Sequence, residues 1–237
     1  LGVSLAVVGV FILPALMAGG QPVGVIVVGA AAMMFSSIYL AHGISIRTTT
    51  AVLGTFGGLL ITLGVSLWAV DSMRLTGTAS DDSLVLMGEI PGLDMSSILL
   101  CGMLLAGLGA LNDVTITQVS TVWELHAANP AMSRRRLFTQ GMAVGRDHIA
   151  STVYTLAFAY VGTALPMLMA AALMQRSTVD LLQVAQISEE IARTLTASVG
   201  LILAIPLTTV IAAWLAPVAP AKPYEEHEGI AAEGRDL

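Results

Sequence analysis

Nine side chains in three short stretches have the types and spacing for chemistry. Asp113, Thr117 and Glu124 lie in "GALNDVTITQVSTVWEL", Arg146, Asp147, His148 and Thr152 in "GRDHIASTVYTLAFAYVGTALP", and Glu189 and Arg193 in "SEEIARTLTASVGLILAIPLTT". Carboxylates beside a histidine can exchange protons near neutral pH or hold a cation, and polar stripes next to them could line a pathway. On a helix, steps of three and four residues join Gly102, Ala106, Gly109, Asp113, Thr117, Ser120 and Glu124 into one stripe. His148, Thr152, Thr155, Ala159 and Gly162 form a second stripe, and Glu189, Arg193, Thr196 and Gly200 a third. Each residue also has a plainer reading. Asp113 could glue two helices by pairing with a base or a hydroxyl, and Glu124 could sit in water beyond the membrane interface. Asp147 could be a helix N-cap or first-turn acid, His148 a packed or interfacial imidazole, and Glu189 with Arg193 a solvated i,i+4 bridge. The packing and pathway readings both predict that the Asp113 stripe faces the fifth and sixth spans, where Arg146, His148 or Thr152 would satisfy it.

The elements that must hold these residues are membrane helices. The chain is 56% hydrophobic and 11% charged, with a mean hydropathy of +0.84, whereas soluble domains carry charge on about a quarter of their positions. Continuous apolar runs of roughly 17 to 25 residues cross a bilayer as helices, because the backbone must satisfy itself there. Six such runs can be placed: Leu1 to Ala18, Pro22 to Ala41, Thr49 to Val70, Ser96 to about Thr117, about His148 to Met174, and about Arg193 to Leu215. The fold class is therefore all-α, a polytopic transmembrane helix bundle of about six spans. It occupies residues 1–216, and 217–237 form an acidic, disordered tail. The first run starts at residue 1 without an initiator Met or a basic leader, which reads as the downstream piece of a longer protein rather than a signal peptide. Cys101 is the single cysteine, which excludes an internal disulfide and a cysteine-based zinc site. No cofactor is expected.

Basic loops stay on the cytoplasmic side. Arg47, Arg134, Arg135, Arg136, Arg146, Lys222 and Arg235 share one side, while Arg74, Arg176 and Arg193 share the other with the acidic loop Asp71 to Asp94. Both ends of the chain are then cytoplasmic. The net charge of −6 offers no footprint for nucleic acid. The expected partners are the lipid bilayer and either further copies of the chain or another membrane protein.

Enzyme signatures are missing. An intramembrane aspartyl protease would need two facing acids, for which Asp113 and Asp147 are the candidates, but its Gly-x-Gly-Asp string is absent: "GLGALND" has the acid three residues too late. There is no Gly-x-Ser-x-Gly, no His-Glu-x-x-His and no phosphate-binding glycine loop. The strings "HIAST" and "EIART", each followed by an in-span proline (Pro166, Pro206), are alike and would enter from opposite sides, as inverted repeats of transporters do, although matches this short also arise by chance.

Four strings in order carry a resemblance: "YLAHGISIRTTTAVLGT" at Tyr39 to Thr55, "GALNDVTITQVSTVWELHAANP" at Gly109 to Pro130, "GRDHIASTVYTLAFAYVGTALP" at Gly145 to Pro166, and "EEIARTLTASVGLILAIPLTT" at Glu189 to Thr209. The chain up to about Ala213 resembles the YibE/F family of bacterial multi-spanning membrane proteins, in wording closest to actinobacterial members. The resemblance implies an upstream anchor helix, an extracytoplasmic domain and one more span before residue 1. Asn112 stands where many relatives have a second acid, so a role needing paired carboxylates is not implied here. No reaction comes with the resemblance. The expectation is a non-enzymatic, transporter- or permease-like protein of the bacterial plasma membrane for an ion or small polar solute. The alternative is a non-catalytic scaffold or accessory subunit.

Overall fold

A computed structural model describes residues 2–173 and 184–216, and every regular element among them is a helix. α1 (Gly2–Met17) has a π-helical turn at Val8–Ile12 just before Pro14. α2 (Pro22–His42) starts where the Gln21 side chain accepts from Gly24 N–H and Pro22 takes a position that needs no donor. It stops at Gly43, whose φ of +70° suits glycine. α3 (Ile46–Ser72) is capped by Ser45, which accepts from Thr48 N–H at 3.1 Å. α4 (Asp81–Glu89) is capped by Ser80 and opens with Asp81 and Asp82, acids favoured at a helix N-terminus. α5 (Met95–Ala128) is capped by Asp94. α6 (Arg134–Leu173) and α7 (Ala185–Leu215) carry Pro166 and Pro206 in their interiors.

Five of these helices, α2, α3, α5, α6 and α7, are long and apolar enough to cross a membrane. The expected count of about six is thus five plus α1, which at about 24 Å is shorter than a hydrocarbon core of about 30 Å. Two helix starts and one loop also differ from expectation. The fifth span's helix begins at Arg134 rather than near His148, leaving only 129–133 as a loop. The sixth begins at Ala185, ahead of Glu189 and Arg193. The acidic loop contains α4. Met174, Arg176 and the expected tail 217–237, with Lys222 and Arg235, lie outside the described residues.

The core is the meeting of α3, α5 and α7. A methyl added at Gly58 of α3 would come within 2.8 Å of both Ala204 of α7 and Leu111 of α5, so the three backbones approach closely because their facing side chains are small. α2 lies against α5, with Ile26, Ala30 and Met33 joining Leu100, Leu104 and Leu108. α1 lies on α2, Ile12 filling the space over Gly29. α6 flanks α5 and α7 through Gly141 and Gly145, which leave room for Val122, Thr209 and Ile205. One end of the bundle is basic, with Arg47 paired to Glu124 and the Arg134 guanidinium 4.6 Å over the Trp214 ring. The other end, with α4, Asp94, Glu189 and Glu190, is acidic.

Candidate functional site

At the acidic end a cavity of about 570 Å³ opens between α4, the start of α5, the end of α6 and the start of α7. Its charged lining is Asp82, Glu189, Glu190 and Arg193. Glu189 is buried and accepts from Gly77 N–H at 3.0 Å. Gly77 is there by necessity: its φ is +71°, and an added Cβ would meet the Met95 carbonyl. Arg193 Nε lies 3.6 Å from Glu190 Oε2, an i,i+3 ion pair, and Nη1 reaches over Gly102. A side chain at position 102 would displace the guanidinium.

Below the cavity the seam between α3 and α7 runs towards the basic end as a ladder of small and hydroxyl residues. Gly200 faces Thr62, Ala204 faces Gly58, and Thr208 faces Gly54. Ser66, one turn beyond Thr62, is buried, and so are Thr196 and Thr208. The Ser66 and Thr208 hydroxyls have no hydrogen-bond partner among the described residues. At the lower end the layer widens to α5 and α6. Thr55 and Thr115 share a hydrogen bond, and Gln118 Nε2 donates to the Gly141 carbonyl at 2.9 Å and to Thr209 Oγ1 at 2.8 Å. Gln118 Oε1 is buried without a partner among the described residues. Buried donors and acceptors without a partner are costly, so Ser66, Thr208 and Gln118 leave the seam with hydrogen-bonding capacity that the described residues do not meet.

Of the nine residues singled out in the sequence, Glu189 and Arg193 lie together at the cavity, although not as an i,i+4 bridge, because Gly77 takes Glu189 and Glu190 takes Arg193. Glu124 pairs with Arg47 Nη1 at 3.1 Å across the basic end. Asp113 is exposed and bonds to no described residue. The expectation that it faces α6 and α7 and is satisfied by Arg146, His148 or Thr152 is corrected: α5 turns Leu111, Val114, Thr115 and Gln118 inward, which leaves Asp113 and Gly109 on its open side. Thr117 is half-buried, its carbonyl accepting from Thr121 Oγ1. Arg146 and Asp147 are exposed in the middle of α6, so Asp147 is no N-cap. His148 and Thr152 are half-buried, and their side chains bond to no described residue. Gly77, Glu190, Gln118 and the α3 hydroxyls were missed. The spacing of Gly58, Thr62 and Ser66 against Thr196, Gly200, Ala204 and Thr208 is the signal that could have found the seam.

No group of three or more His, Cys, Asp or Glu side chains is placed to hold a metal ion among the described residues. A family model described as YibE/F-like protein matches residues 1–218. No curated protein and no solved structure matches the chain.

Proposed function

From the premise that the chain belongs to the YibE/F-like family and is an all-helical, multi-pass membrane protein, we propose that it is permease-like. It passes a small cation, or a small polar solute, across the bacterial plasma membrane without chemical change. The observation that carries this reading is the cavity with three carboxylates and one guanidinium, standing at the head of a buried hydroxyl seam. An excess of acid in a cleft with apolar walls raises the local concentration of cations. Arg193 and Glu190 form the inner rim. The seam below them is shut, with Thr62 against Gly200. Pro206 lies beneath that contact and removes one backbone hydrogen bond from α7, which gives the helix a place to bend.

The test is flux in liposomes holding the purified protein, read separately for Na⁺, K⁺, protons and a panel of radiolabelled small polar solutes. Wild type should exceed empty vesicles for one of them, and Arg193→Ala or Glu190→Gln should abolish that flux while the folded protein still accumulates. Folded wild type without flux, or full flux in Arg193→Ala, overturns the proposal. A second reading, a scaffold or accessory subunit, is favoured by the charges of Asp113, Arg146 and Asp147, unpaired among the described residues, on the outside of the bundle.

A further inference from the structure

Those outward charges stand within the length of helices that are long and apolar enough to cross a membrane. Asn112 Nδ2 donates to Ser37 Oγ at 3.3 Å, which fixes the Asp113 level on α2. α2 has 21 residues, about 31 Å, close to the thickness of a hydrocarbon core, and Ser37 lies about 7.5 Å inside its end. The partners of Gln118 at Gly141 and Gly145, and the packing of Ile149 against the cluster of Val114, Leu201 and Ile205, put α6 alongside at the same level. Arg146, Asp147 and His148 therefore share the depth of Asp113 to within a helical turn. The residues marking the basic end, Arg47, Glu124, Arg134 and Trp214, are farther out.

An ionisable residue at that depth faces a bundle interior or water and takes a partner. Asp113 and Arg146 do neither within one copy: both are exposed and unpaired among the described residues. The surface around them is open as well. A methyl at Gly109 would meet nothing within 4 Å, and only 6% of the apolar window of α6 is buried, against 33–56% for the other four long helices. Tyr154 and Phe158 are exposed on α6.

We propose that the occupant of this surface is a second copy of the chain, with Asp113 of one copy paired to Arg146 of the other. The argument for a copy, rather than an unrelated helix, is charge complementarity fixed by the bilayer. Copies inserted in the same orientation sit at one depth, so each brings an Arg146 to the level of the other's Asp113. Gly109, one turn above Asp113, lets the neighbouring helix approach closely enough for the pair to form.

The experiment uses the full chain in lipid nanodiscs and in native membranes, with Cys101→Ser as background. Two differently tagged forms, Asp113→Cys and Arg146→Cys, should cross-link to each other when co-expressed, and a pair with the cysteine at Leu13 of α1 should not. Asp113→Arg should weaken association about tenfold or more, and the exchange Asp113→Arg with Arg146→Asp should restore it. Asp113→Asn serves where the reversal fails to accumulate, and should weaken association with normal protein levels. A monomer at every concentration, association indifferent to the charge reversals, or recovery of the face covered by a different membrane protein would each overturn the assignment. Flux is not part of the readout, so failure here leaves the permease reading standing, and the reverse holds too.

Discussion

Glu189 and Glu190 are neighbours in sequence and separate in what they touch. The spacing along the helix allows Arg193 to pair with either. The choice is made by Gly77, a residue 112 positions away, whose N–H takes Glu189 and leaves Glu190 for the guanidinium. Sequence spacing shows which groups share a helix face, so Glu189 and Arg193 were legible as neighbours on one face of α7. It is blind to a loop that folds back onto that face. The same blindness applies to Asp113, where the stripe was legible and the side it faces was not. A residue-scale prediction concerns Asp94, which accepts from Ser96 N–H and from the hydroxyls of Ser96 and Ser97. Those bonds, the Ser97 hydroxyl first, hold its carboxyl below the usual carboxylate range. A lowered native pKa contributes stability above the unfolded value near 3.9, and the contribution is lost as pH falls through the native value. Asp94→Ala should cost about 1 kcal/mol at neutral pH, as other N-caps do. Hydrogen exchange at the first turn of α5 is the measurement, and the difference from wild type should shrink below about pH 4.

At the scale of elements, composition and helix length report different things. Apolar runs mark where the chain lies in hydrocarbon, while hydrogen bonds and caps decide where a helix ends. α6 therefore begins at Arg134, well before the run that starts near His148, and α5 continues past Thr117 to Ala128. The bundle class was legible because continuous hydrophobicity admits no other backbone. Which helices pair closely was not read from the sequence, where its one signal is the spacing of small residues, and a close contact of this kind is the α3–α7 seam. An added Cβ at Gly200 would lie 2.0 Å from Thr62 Oγ1, and Thr62 is buried with its hydroxyl bonded to the Gly58 carbonyl. Gly200→Ala should thus destabilise the bundle by about 1 to 3 kcal/mol. Thr62→Ala in the same chain should recover part of that loss, because it removes Oγ1 and Cγ2 but keeps the Cβ, 2.9 Å from the added methyl. Thermal unfolding in detergent of the two single variants and the double variant measures the coupling, and additive losses would place the strain elsewhere.

The whole molecule has a polarity along its axis that ties these parts to the membrane. Arg47, Arg134, Arg135 and Arg136 gather at one end, where Arg134 stacks on Trp214 as residues at an interface do. Asp71, α4 with Asp81, Asp82 and Glu89, and Asp94 gather at the other, together with the cavity. Retention of basic segments in the cytoplasm predicts that the cavity opens to the outside and that the short loop 129–133 between α5 and α6 is internal. Asp82 and Ser133 are both exposed and lie at opposite ends, so single cysteines there separate the alternatives. In a Cys101→Ser background, a membrane-impermeant thiol reagent added to intact cells should modify Asp82→Cys and spare Ser133→Cys, and permeabilisation should make the second reactive. The reverse pattern would turn the cavity to the cytoplasm. The hydroxyl seam would then be filled from inside, and the proposed movement of solute would run from an internal vestibule outward.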